Sequence, residues 1–108
     1  MKRDPEDIDR AARIFKALSH PQRLEIACRL AEGAPATQTQ LVQELGWPQS
    51  TLARHLQPLR DLGLVVGERH GPEVVLTVKS AVVRTLVQSV CVWLHPENAG
   101  VDARGELS

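Results

Sequence analysis

A chain of 108 residues has room for one compact core and leaves little for a second folded domain. Hydrophobic residues at 43% and charged residues at 24% are ordinary for a globular protein, which argues against disorder, and no apolar stretch is long enough to span a bilayer. Lys and Arg total 13 and Asp and Glu total 13, so the net charge is zero; any contact with nucleic acid must come from where the arginines sit, since their sum is cancelled.

Asp4 offers a helix N-cap, Pro5 suits the first helical position, and Glu6 and Asp7 favour the helix dipole. Ile8, Ala11, Ala12, Phe15 and Leu18 follow at helical spacing and predict the first helix. The same N-terminus lacks the apolar core of a secretory signal, and two cysteines make no disulfide framework, so a reducing cytoplasm is the expected setting. Ser19-His20-Pro21 restarts the pattern, and Leu24, Ala27, Cys28, Leu30 and Ala31 fill an apolar face until Glu32-Gly33-Ala34-Pro35 stops it. Thr37-Gln38-Thr39-Gln40 matches a capping box ahead of Leu41, Val42 and Leu45, a short third helix that Gly46 ends.

After Gly46-Trp47-Pro48, the segment from Gln49 to Asp61 puts Leu52, Leu56, Leu59 and Leu62 on one stripe and Gln49, Ser50, Ala53, Arg54 and Gln57 on the other. Pro58 has no amide donor and is expected to kink the last turn or end regular hydrogen bonding there. Leu64 to Arg69 and Glu73 to Val78 are β-branched runs joined by His70-Gly71-Pro72, which predicts one two-stranded hairpin. From about Lys79 to Leu94, Ala81, Val82, Val83, Leu86, Val87, Val90, Cys91, Val92, Trp93 and Leu94 are apolar around much of a helix in which Arg84 is the only charge beyond the lysine at its start. One small core cannot cover such a helix, so its spare face is expected to pack on a second copy in a symmetric dimer. His95-Pro96 ends it, giving a folded unit at residues 1–95 and a polar tail at 96–108 that is expected to be disordered.

The result is a mainly α fold with a small β-hairpin: four helices, the hairpin, then a fifth helix. Two short helices around a tight turn, followed by a hairpin, are in the order of a winged helix-turn-helix, whose second short helix enters a major groove. Ala17-Leu18-Ser19-His20-Pro21-Gln22-Arg23-Leu24-Glu25-Ile26 resembles the junction of the first two helices in ArsR/SmtB regulators. Gln49-Ser50-Thr51-Leu52-Ala53-Arg54-His55-Leu56-Gln57-Pro58-Leu59-Arg60-Asp61-Leu62-Gly63-Leu64-Val65 resembles their recognition helix and its exit into the wing. The resemblance extends from about Ile14 to Leu94. It implies a DNA-binding transcriptional regulator without enzymatic activity, a repressor that an effector releases, binding a palindromic operator as a homodimer through its first and last helices.

On that basis Gln49 can bond an adenine edge and Arg54 can fork onto a guanine edge or a phosphate, while Ser50, Thr51 and Gln57, with Ala53 among them, meet phosphates or bases. Arg69 and His70 stand near the wing tip, where a minor-groove or phosphate contact is expected. Glu68 and Pro72 depart from the basic residues common in the family's wings. The alternative for the same face is a solvated helix or a module that docks a co-regulator protein. His55 is expected to pack within the fold.

For the effector, Thr37 and Thr39 are poor soft-metal ligands at the start of the third helix, and no His, Asp or Glu occurs between Lys79 and Leu94, so the family's two commonest metal sites are absent. His95, Glu97 and Asp102 in the tail are the remaining candidates for a metal such as nickel or zinc. Cys28 and Cys91 resemble the dithiol of family members that sense oxidants or reactive sulfur; the alternative is that both are small apolar residues of the core.

Overall fold

The computed structural model describes residues 3–79, 81–95 and 97. Helix α1 (Pro5–Leu18) starts as expected: the Asp4 side chain accepts the Asp7 N–H at 2.9 Å and Pro5 occupies the first turn. Only its last turn enters the core, through Ala17 and Leu18, while Ile8 and Phe15 stay exposed. Helix α2 (Pro21–Glu32) is capped by His20, whose Nδ1 accepts the Gln22 N–H at 3.2 Å. It is the central element, burying Ile26, Ala27, Leu30 and Ala31 and packing against α1 and the elements that follow.

Helix α3 (Gln38–Leu45) opens with a reciprocal capping box, in which Gln40 N–H donates to the Thr37 hydroxyl at 3.1 Å and Thr37 N–H donates to Gln40 Oε1 at 2.9 Å. Gly46 ends it with φ of 72°, a conformation that side chains with a Cβ rarely adopt. Helix α4 (Gln49–Asp61) buries Leu52, His55, Leu56 and Leu59.

Pro58 does not end this helix. Its ring removes a single bond to the carbonyl four residues earlier, and the Leu62 N–H bonds back to the Pro58 carbonyl at 3.2 Å, so the ladder resumes. Burial of Leu56 and Leu59 on either side of the proline holds the last turn against the core. Leu62, expected on the apolar stripe, falls at the C-cap and is 38% exposed.

The hairpin pairs Val65–His70 with Glu73–Val78, turning on Gly71 and Pro72, with Gly71 at φ of 64° as a two-residue turn requires. The expectation of a two-stranded sheet is incomplete. Ala36–Thr37 forms a first strand, so the strands are β1 (Ala36–Thr37), β2 (Val65–His70) and β3 (Glu73–Val78), antiparallel in the order β1-β3-β2. Ala36 pairs with Leu76 and Thr37 with Val75, and both Ala36 and Leu76 are buried. The wing is thereby tied to the start of α3.

Helix α5 (Ala81–Leu94) packs on α2 through Val83 and Val87, and Arg84 Nη1 donates to the Ala31 carbonyl. Its other side is uncovered: Leu86, Val90, Trp93 and Leu94 are exposed, Trp93 by 68%. An apolar groove of about 270 Å³ lined by Phe15, Leu18, Leu24, Leu86, Val87 and Val90 runs between α5 and the first two helices. Among the described residues no helix is long and apolar enough to cross a membrane. The tail expected at 96–108 lies, apart from Glu97, outside the described residues.

Candidate nucleic-acid interface and the adjoining thiol cluster

The two faces of α4 are chemically distinct. Leu52, His55, Leu56 and Leu59 point into the core, so helical geometry places Gln49, Ser50, Ala53, Arg54 and Gln57 outward, and all five are exposed. Thr51 is half-buried at the edge of that face. Gln57 Nε2 donates to Asp61 Oδ1 at 2.7 Å, which orients its amide along the helix. The face is short, free of large apolar groups and centred on one guanidinium, a composition suited to base edges and phosphates.

Arg69 and His70 are exposed at the end of β2, beside the Gly71 turn. The acid noted in the sequence bears directly on them, since Glu68 Oε2 lies 3.8 Å from His70 Nε2. This arrangement leaves Arg69 as the cation at the tip of β2.

His55 anchors the back of α4. It is 5% exposed, neither ring nitrogen has a hydrogen-bond partner among the described residues, and its ring stands 4.4 Å from the His20 ring at a tilt of 43°. Burial pushes its pKa down, and His20, Arg54 and Arg23 push in the same direction. The folded state thus holds His55 neutral where an unfolded chain would take up a proton. Stability from this group is present above about pH 6.5, the ordinary histidine value, and is lost as pH falls toward the depressed folded value. Chemical denaturation at pH 7.5 and pH 5.5 should show lower stability in acid, and His55→Gln should flatten that dependence; an equal slope in both proteins would contradict it.

The second constellation lies where α2 meets α5. Cys28 Sγ, Cys91 Sγ and a carboxylate oxygen of Glu32 are all within 4.8 Å of one another. Both cysteines are unbridged and half-buried, and Glu32 is exposed. The Glu32 carboxylate, which accepts a hydrogen bond from the thiol, is the largest cause that pushes Cys91 up to about 12; burial and Cys28 add to it. Burial also pushes the Cys28 thiol up, opposed by its hydrogen bond with Cys91 and reinforced by Glu32 and Glu25. Both sulfurs are protonated thiols near neutrality.

The structure therefore brings together the two cysteines that the sequence singled out and adds Glu32, which it did not. Glu32 is one helical turn beyond Cys28, at the i,i+4 spacing that shares a face, but only the docking of α5 supplies the third group. Of the tail candidates, His95 Nδ1 lies 3.4 Å from Glu97 Oε1, both exposed, and Asp102 is outside the described residues. The hydroxyl of Thr37 is engaged in the α3 cap.

The thiol cluster is mechanically close to α3 and α4. Beside Cys28, Arg29 forms a two-pronged ion pair with Glu44 of α3, through Nε to Oε2 and through Nη2 to Oε1 at 3.0 Å, and its Nη1 donates to the Ala34 carbonyl at 2.8 Å. The guanidinium holds the Glu44 carboxyl below its usual range. Helix α2 also packs directly on α4.

Comparison with known proteins points the same way as the geometry. A model described as "Helix-turn-helix domain" matches residues 18–68, from the end of α1 into the wing. The chain is 32% identical over 83 residues to the HTH-type transcriptional regulator YgaV of Escherichia coli K12, covering 76% of this chain and 83% of that protein. HlyU from Vibrio cholerae superposes with a TM-score of 0.76 at 27% identity, over 86% of this chain and 99% of that one. The homodimeric winged helix-turn-helix domain of Mb0332 from Mycobacterium bovis, described as a possible ArsR-family transcriptional regulator, superposes with a TM-score of 0.77 at 27% identity, over 94% and 93% of the two chains.

Proposed function

The chain belongs to the ArsR/SmtB family of winged helix-turn-helix transcriptional regulators, and we propose that it works as a repressor, a homodimer that occupies a two-fold related operator through α4. The observation that carries this reading is the exposed face of Gln49, Ser50, Ala53, Arg54 and Gln57 on a helix whose opposite face is buried beside the wing. In a dimer built on α1 and α5, two such faces meet successive major grooves about 34 Å apart. The uncovered apolar side of α5 and the homodimeric state of Mb0332 both support that arrangement.

Release is assigned to Cys28 and Cys91. Two thiols close into one disulfide by giving two electrons and two protons to an oxidant; with hydrogen peroxide, one S–S bond forms, the O–O bond breaks and two waters leave. A disulfide needs its sulfurs about 2.05 Å apart, so closing it pulls Cys28 of α2 toward Cys91 of α5. Because α2 packs on α4 and its Arg29 holds Glu44 of α3, that movement reaches the reading unit directly.

A mobility-shift assay with the DNA upstream of its own gene tests both parts. The reduced protein should shift that fragment, and peroxide or polysulfide should free it. Cys28→Ser and Cys91→Ser should bind and stay bound after either treatment. Failure to prefer that fragment over random DNA removes the repressor reading; serine variants released as readily as the parent remove the dithiol.

A further inference from the structure

We propose that Cys28, Glu32 and Cys91 form a binding site for one thiophilic divalent cation, of the zinc or cadmium kind, at the junction of α2 and α5. The donor set is two sulfurs and one carboxylate oxygen from two helices that already pack together. Thiolates select soft and borderline ions over magnesium and calcium, and the carboxylate completes a three-ligand set that leaves a fourth position for solvent.

The spacing suits such an ion. Zinc binds thiolate sulfur at about 2.3 Å and carboxylate oxygen at about 2.0–2.2 Å, which in a tetrahedron separates the donors by roughly 3.4–3.8 Å. The three atoms are within 4.8 Å of one another, so they need to close by at most about 1.0–1.4 Å. Glu32 is exposed at the last residue of α2, where its side chain can turn inward without disturbing the core. That position also puts the cation at the carbonyl end of the helix, where positive charge is favoured. Cys28 and Glu32, one turn apart, form one jaw and Cys91 the other.

Loading balances simply: each thiol gives its proton to solvent, two sulfur–metal bonds form, and no electrons are exchanged. The proposal shares its cysteines with the disulfide reading and does not depend on it. A bound ion ties up both sulfurs, so metal and peroxide compete for them.

The full-length reduced protein, titrated with cadmium under anaerobic conditions, should develop sulfur-to-cadmium charge-transfer absorbance that saturates at one ion per protomer. Two protons should be released per ion, read with an indicator dye, and zinc should displace the cadmium. Cys28→Ser and Cys91→Ser should each reduce the absorbance by about half or more. Glu32→Gln, an exposed change that keeps both thiols, should weaken cadmium at least about tenfold in competition with a chelator, the order that loss of a supporting group produces at metal sites. No charge-transfer band at one equivalent, or Glu32→Gln binding as tightly as the parent, overturns the site. Glu32→Gln leaves both thiols open to peroxide. Its release from DNA therefore reports on the disulfide reading separately from the cadmium titration.

Discussion

Val90→Glu should leave a folded monomer and reduce operator affinity by about 10²–10⁴-fold, the range lost when two linked recognition events become independent. Val90 is 49% exposed in the protomer and lines the apolar groove with Phe15 and Leu86. The substitution therefore removes little from the protomer's own core. In a two-fold dimer it appears twice, facing apolar surface, and desolvating each carboxylate costs several kcal/mol. Sedimentation velocity should show half the parent's mass at concentrations where the parent is dimeric, with the helical circular dichroism retained. A variant that remains dimeric would place the interface elsewhere.

Arg54→Ala should weaken operator binding by roughly 30-fold or more while leaving the unfolding midpoint unchanged. One good contact to a base edge is worth about 1–3 kcal/mol, and a two-fold operator uses it twice. The side chain is exposed, so its loss does not open the core. Fluorescence anisotropy across salt concentrations then separates two roles. If Arg54 reads a guanine, discrimination at one base pair per half-site relaxes and the salt slope holds; if it holds a phosphate, the slope falls by about 1 per protomer and discrimination stays. Unchanged affinity would remove α4 as the reader.

Much of the architecture was legible in the chain because its signals are local. Asp4 with Pro5, the Thr37–Gln40 box and Gly46 each satisfy or terminate backbone groups within one turn, so they act before any tertiary contact exists. The leucines at 52, 56 and 59 mark the inner face of α4, and the polar reading face follows by subtraction. The pairing of Cys28 with Cys91 came instead from family resemblance; neither periodicity nor spacing along the chain brings residues on α2 and α5 together.

What packing decided is equally specific. Ala36–Thr37 is too short to show alternation and is a strand only because Leu76 and Val75 of β3 present a free edge there. Pro58 obeys its intrinsic chemistry by deleting one hydrogen bond, yet Leu56 and Leu59 bury enough surface to carry the helix past it. His55 was expected to pack within the fold, and it sits 5% exposed against His20, a contact partner that only the docking of α2 on α4 supplies.

Local residue chemistry thus determined the helix starts, the wing hairpin and the polar face of the winged helix-turn-helix, since each depends on neighbours within a turn or a strand pair. The third strand, the seat of His55 and the meeting of Glu32 with two thiols are non-local. They exist only once α5 and β3 have closed against α2, because no interaction along the chain can hold groups that far apart in sequence within a few ångströms.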